Sequence, residues 1–213
     1  MFTRLISDVV SQSGMCFSII SEPPLTISFQ LASLRTTVST NACSLYTELV
    51  VALETAADPF CETLYTALFG MAGFTKKIIA QQTQAAIGTI MAHTSAHPRL
   101  VIQLIQRLSQ EKNVQSRMYA TQHLKTYIDI HGTRSRGTIE ASGNIELLDQ
   151  LVKKVLQDPN VGVREGARGA FWAYESVWSE RAKVIFASLE PTYRKSVEKL
   201  CPCLLYTSDA ADE

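Results

Sequence analysis

The stretch KNVQSRMYA, residues 112–120, joins a short polar loop to a basic residue, Arg117, and, three positions later, to a small apolar one, Ala120. The same arrangement occurs three more times where a helical pattern begins, at Arg35/Val38, Lys77/Ala80 and Arg164/Ala167. The four basic positions lie 42, 40 and 47 residues apart. A period of this length with two helices per unit is typical of HEAT repeats.

The rest of the chain extends this pattern. From residue 31 onward the apolar spacing predicts successive helices and no convincing strand. Asp58-Pro59 and Asp158-Pro159 mark helix boundaries, because proline at a first helical turn loses no hydrogen bond. The predicted helices are 31–56, 58–71, 75–94, 98–110, 114–131, 144–157, 161–178, 180–189 and 191–200, with one helical turn in the connection before residue 143. We therefore expect an all-α HEAT-repeat solenoid of antiparallel helix pairs; the alternative is an irregular helical bundle.

The charge is unevenly distributed along the chain. The formal net charge is zero, yet residues 74–200 carry 18 Lys/Arg against 11 Asp/Glu. In a solenoid the turns within repeats emerge along one edge, and rotation between repeats is small. We therefore expect one continuous ridge of exposed basic contacts that attracts an acidic partner; the alternative is a solvated surface without a partner. The ridge residues are Arg35, Lys76, Lys77, Lys112, Arg117 and Arg164.

Other classes of protein are disfavoured. No apolar run approaches the roughly 18 residues of a membrane span, and no secretory signal is visible. Five scattered cysteines favour a reduced, intracellular protein. His93 and His97 have i, i+4 spacing but lack the glutamate of the zinc protease motif, so we interpret them as a helix end. The sequence contains no phosphate-binding glycine motif, and we expect no cofactor. The aromatic residues at 171–178 are predicted to pack in the core.

Both ends of the chain differ from its body. Residues 1–28 show no sustained helical period and are either a loop or non-native sequence. The tail CLLYTSDAADE, residues 203–213, resembles the translation of a sequencing adapter, so we expect no evolved function there. The predicted repeat domain, a partial one, covers residues 29–202.

Several segments in this body resemble the second TOG-type domain of CLASP microtubule-associated proteins. They are GFTKKI (73–78), QAAIGTI (84–90), QEKNVQSR (110–117), HLKTY (123–127), IEASG (139–143) and DPNVGVRE (158–165). The resemblance implies a noncatalytic TOG-type paddle of HEAT repeats that binds tubulin through the loops within its repeats. It also implies stabilisation of dynamic microtubules in the cytoplasm, at the spindle and at kinetochores during mitosis.

The resemblance assigns loops by position. Ser33-Leu34-Arg35 would form the second loop and Thr75-Lys76-Lys77 the third. Lys112, Asn113 and Val114 with Arg117 would form the fourth, and Asn160 and Val161 with Arg164 the fifth. The first repeat of the family is not recognisable in this sequence. The alternative function is a general HEAT scaffold for another protein, such as a kinetochore or motor component. We expect no nucleic-acid binding, since the basic ridge lacks interleaved aromatics, and we expect no membrane binding.

Overall fold

The computed structural model describes residues 31, 35–141 and 143–199, which form helices and no strand. The segments 1–28 and 203–213 and the pair Ser33-Leu34 lie outside the described residues. The helices are α1 (Thr36–Leu53), α2 (Asp58–Gly70), α3 (Lys77–His93), α4 (Pro98–Leu108), α5 (Val114–His131), α6 (Arg136–Ala141), α7 (Asn144–Leu156), α8 (Val161–Val177), α9 (Ser179–Ala187) and α10 (Pro191–Glu198).

The helices agree closely with those predicted from the sequence, and the all-α expectation is confirmed. The first predicted helix is interrupted, because Glu54 at the end of α1 has φ of 49° and a 3₁₀ turn, Glu54–Ala57, follows it. The connection before residue 143 contains the six-residue helix α6. The Asp-Pro signal at residue 58 is confirmed, since Asp58 is the first residue of α2 and proline follows it.

The chain divides into two compact units between Leu104 and Ile105. In the first unit, α1 and α2 both pack on α3. Ala80, in the first turn of α3, is fully buried, as expected for a small residue where helices approach closely. Gln84 Nε2 donates to the carbonyl of Leu68 at 3.0 Å, and the hydroxyls of Tyr65 and Thr94 lie 3.0 Å apart. The buried polar side chains of Gln84 on α3 and of Thr94 at its C-terminal end are therefore hydrogen-bonded to α2.

In the second unit α8 is central, packing against α5, α7, α9 and α10. Its contact with α5 includes three glycines at positions 162, 166 and 169, which face Met118, Thr121 and Lys125 respectively. A Cβ atom at Gly166 would overlap with Thr121 Oγ1. The lack of side chains on this stripe lets the two helix backbones approach closely, and it aligns the start of α5 with the start of α8.

The opposite end of α8 is fixed by aromatic and charged side chains. Tyr174 donates a hydrogen bond to Asp149 on α7, and the same carboxylate accepts one from Arg181 Nε on α9 at 3.0 Å. Trp178 Nε1 donates to Glu140 Oε1 at 2.9 Å. Phe171, Tyr174 and Trp178 are buried, which confirms the predicted packing role for these three aromatic residues, whereas Trp172 is half-buried. This network lies at the C-terminal end of α8, and the loop 157–160 lies at its N-terminal end.

Candidate functional site

The candidate site in the second unit consists of two loops that lie side by side. Loop 109–113 precedes α5, and loop 157–160 precedes α8. Arg117, in the first turns of α5, reaches across to the second loop, where its Nε atom lies 2.8 Å from Asp158 Oδ2. We name these two loops, together with the exposed residues that adjoin them in α5, α7 and α8, the loop edge. The tight packing of α5 against α8 explains why loops separated by more than 40 residues in sequence meet.

Each loop ends in an asparagine that caps the following helix. Asn113 Oδ1 accepts a hydrogen bond from Gln115 N at 2.9 Å. Asn160 Oδ1 accepts from Gly162 N at 2.9 Å and from Val163 N at 3.4 Å. Asparagine is among the preferred N-cap residues because its side-chain oxygen satisfies amides that have no partner within the helix. Both predicted site asparagines therefore fix where their helices begin.

Four positions after each cap, an arginine folds back onto the loop that precedes its helix. Arg117 Nη1 donates to the carbonyls of Glu111 and Lys112, both at 3.0 Å. Arg164 Nη1 donates to the carbonyls of Asp158, at 2.6 Å, and Pro159, at 2.9 Å. In both cases the acceptors lie five and six residues before the arginine. The repeated sequence pattern thus encodes a repeated contact, in which a guanidinium closes the loop on its own helix.

These contacts differ from the expectation that both arginines are exposed. The side chain of Arg117 is 14% exposed, and that of its partner Asp158 is 9% exposed. The guanidinium of Arg164 also lies over the ring of Tyr193, with 5.9 Å between Cζ and the ring centroid. A guanidinium presents several donors in one plane, so it can join carbonyls and a carboxylate at once. Sequence spacing could not distinguish this use from a surface contact.

Other side chains on the loop edge are accessible. Lys112 and Asn113 are exposed, as predicted. Val161, which the resemblance placed in the fifth loop, is exposed as well. Exposed positions that the sequence reasoning missed are Met118 and Lys154, the second of which lies in the final turn of α7 just before loop 157–160. Val161 is 58% exposed although it is apolar. The sequence did contain a signal for Lys154, since a lysine four residues before Asp158-Pro159 is expected in the last turn of a helix.

The first unit carries its own predicted loop residues. Lys76 is the N-cap of α3, Lys77 is its first residue, and both are exposed. The adjacent Ile78 is 64% exposed. Arg35 is the exposed N-cap of α1. Arg117 and Arg164 are each the fourth residue of their helix, whereas Arg35 is an N-cap and Lys77 a first residue. The regular spacing in the sequence therefore relates basic residues that occupy two different positions relative to the helix start. A ridge shared by all of them stays a prediction.

Histidine, cysteine and acidic side chains are the groups that could bind a metal ion. Across residues 31, 35–141 and 143–199, no group of three His, Cys, Asp or Glu side chains could hold a metal ion. His93 ends α3 and His97 precedes α4, which agrees with their interpretation as a helix end. Cys61 is buried, and burial raises the pKa of its thiol to about 12. Within the part of the chain that the structure describes, no helix is long and apolar enough to cross a membrane.

Paired helices with aligned loops define a helical-repeat module of the HEAT type, and a solved structure has the same fold. The MAST/Orbit N-terminal domain matches with a TM-score of 0.64 at 17% identity, over 92% of this chain and 88% of that one. The family model described as CLASP N terminal matches residues 12–198. The chain therefore belongs to the CLASP N-terminal family, and the TOG-type HEAT fold predicted from its sequence is confirmed.

Relatives with similar sequences come from fungi. Protein STU1 of Cryptococcus neoformans var. neoformans serotype D is 46% identical over 171 residues, which is 80% of this chain and 14% of that protein. Protein STU1 of Coccidioides immitis is 42% identical over 78% of this chain and 13% of its own length. Protein STU1 of Mycosarcoma maydis is 38% identical over 86% of this chain. The chain thus corresponds to about one seventh of the length of these relatives.

Proposed function

We propose that this chain is a noncatalytic tubulin-binding module that stabilises dynamic microtubules and acts in formation of the mitotic spindle. One observation supports the proposal: in this member of the CLASP N-terminal family, exposed lysines and exposed apolar side chains lie where helices begin. Its place of action would be the cytoskeleton, with the spindle and kinetochores during mitosis. The proposal requires no cofactor.

The charges and the apolar residues support different parts of the interaction. Tubulin is acidic, so Lys76, Lys77 and Lys112 would accelerate encounter and orient the module on it. The ammonium group of Lys112 has no hydrogen bond or ion pair with any residue that the structure describes, so its charge is available to a partner. Ile78 and Val161 would add contacts that exclude water and do not depend on salt.

A charge-reversal experiment tests the proposal. Replacing Lys76, Lys77 and Lys112 by glutamate should abolish co-sedimentation with microtubules and binding to free tubulin, with unchanged helical circular dichroism. Arg164 is left intact because its guanidinium holds loop carbonyls. The matched control reverses Lys183, Lys195 and Lys199, three exposed lysines that change the net charge equally and lie in none of the predicted loops. The ion pair of Lys183 with Glu180 is exposed and contributes little to stability.

The outcomes separate the candidate functions. Loss of binding in the loop variant together with retention in the control supports the tubulin-binding proposal. Equal binding by both variants contradicts the proposed surface. A folded wild-type chain that binds neither tubulin nor microtubules contradicts the function and favours the alternative, a HEAT scaffold for another protein such as a kinetochore or motor component.

A further inference from the structure

We propose that Arg117 and Asp158 are a positioning pair, which couples the two loops of the loop edge so that a partner meets one preformed surface. The proposal rests on the proposed function and deepens it. It assigns Arg117 to the support of the contact residues rather than to the contact itself. It also gives a role to Asp158, an acidic residue on a surface predicted to be basic.

Asp158 is the point where three contacts converge. Its Oδ2 accepts from Arg117 Nε at 2.8 Å, and its Oδ1 accepts from the amide of Asn160 at 2.8 Å. Its main-chain carbonyl accepts from Arg164 Nη1 at 2.6 Å. The carboxylate therefore joins a residue of α5 to the turn that starts α8. Removing it would release both at the same time.

Arg117 serves the other loop with the remaining part of its guanidinium. Through Nη1 it holds the carbonyls of Glu111 and Lys112, while Nε and Nη2 face Asp158. The backbone carbonyl of Lys112, the exposed cation of this loop, is therefore hydrogen-bonded to Arg117, and Arg117 also binds Asp158 in the second loop. A displacement of loop 157–160 is transmitted through one side chain to the backbone that carries this lysine.

Coupling of this kind affects binding through entropy. A partner that touches two independent loops must pay to order each, whereas a preformed edge reduces that cost. The pair itself is mostly buried and has no net charge, so it would contribute little to long-range attraction. Its loss should weaken binding by a factor that is the same at every salt concentration. Loss of a contact lysine should instead reduce the salt dependence of binding.

The first experiment measures coupling in the chain without tubulin. Amide hydrogen exchange is followed in Arg117→Gln and in Asp158→Asn, with Arg136→Gln as the control that breaks an exposed pair elsewhere. Exchange at Gly162 and Asn160 should accelerate about tenfold in Arg117→Gln, although the substitution is on another helix. Exchange in the buried turns of α7 around Val152 should not change. Wild-type exchange in loop 157–160, or uniform acceleration throughout the unit, would overturn the proposal.

The second experiment measures tubulin affinity against salt in the double variant Arg117→Gln/Asp158→Asn, which keeps the net charge. Affinity should fall by a constant factor of about ten, and the slope of log Kd against log salt should equal that of the wild type. Lys112→Gln should lower the slope. A lowered slope in the double variant would make Arg117 a contact and overturn the assignment. If the wild-type chain binds no tubulin, the proposed function fails, and the exchange result alone decides the coupling.

Discussion

Arg117 and Asp158 are 41 positions apart in sequence, yet Nε and Oδ2 of the two side chains lie 2.8 Å apart at the junction of two helix starts. The repeat pattern predicts Arg117 as an exposed surface cation, but its ion pair with Asp158 connects two loops of the same chain. The same guanidinium satisfies two carbonyls of its own loop. Basic residues near the predicted binding surface therefore have two roles in this protein. Lys112 is exposed to solvent, whereas Arg117 bonds other groups of the chain.

Arg117→Ala should lower the free energy of unfolding by about 3 kcal/mol, because it leaves a mostly buried carboxylate and two loop carbonyls without their donor. Arg136→Ala should cost much less, since its pair with Glu140 is exposed. Chemical denaturation of the two variants measures the difference. Equal losses would show that the burial of the Arg117 pair has no energetic consequence.

Gly166→Ala should destabilise the second unit by about 1–3 kcal/mol, because the added methyl group would overlap with Thr121 Oγ1 on α5. Thermal or chemical unfolding measures the loss. Gly137→Ala is the matched control, since a Cβ atom there would have no neighbour within 4 Å. Adding Thr121→Ala should recover part of the stability lost in Gly166→Ala. Strict additivity of the two changes would contradict the proposed overlap.

Stability should fall with acid because of His123. Burial lowers the pKa of this imidazole from 6.5 to about 4, so the folded protein holds it neutral while the unfolded chain protonates near pH 6.5. The free energy of unfolding is therefore unaffected by the titration of His123 above pH 6.5. It falls as the pH is lowered from 6.5 to about 4, by about 3 kcal/mol in all. Denaturation midpoints of the wild type and His123→Gln measure it as a difference across that window. Parallel pH curves for the two proteins would refute it.

Asn113 allows capping to be separated from partner contact. Asn113→Ala should cost about 1 kcal/mol of stability, because Gln115 N loses its acceptor. Asn113→Asp should keep the cap and the stability while placing a negative charge on the loop edge. Its tubulin affinity should fall, and the fall should shrink at high salt. An unchanged affinity in Asn113→Asp would remove Asn113 from the contact surface.

Val161→Ser tests the apolar part of the loop edge. Val161 is 58% exposed, so the substitution should change the unfolding free energy by less than about 1 kcal/mol. Tubulin affinity should fall severalfold by the same factor at low and high salt, since burial of an apolar side chain carries no charge term. The exposed Val184 on α9 provides the control, as Val184→Ser should leave affinity unaltered. Equal effects of the two substitutions would argue against a specific contact.

Much of the fold was predictable because its signals are local. Caps, prolines and apolar spacing mark the helix limits, so α5 was predicted with the bounds it has, 114–131. The bend after α1 was not predicted, since nothing in the local sequence indicates the positive φ of Glu54. The glycines at 162, 166 and 169 form no phosphate-binding motif, but their spacing places them on one helix face. Their purpose depends on α5, which is distant in sequence.

The sequence by itself determined the class of fold, the family and the loops that could carry a site, because periodicity, capping and family resemblance are properties of the linear order of residues. Only the tertiary structure decided which charged side chains face outward. Lys112 and Arg117 are five positions apart and carry the same charge, yet the first is exposed and the second is engaged by Asp158. That division depends on the approach of α8 to α5, because a cation turns inward only where another part of the chain supplies its acceptors.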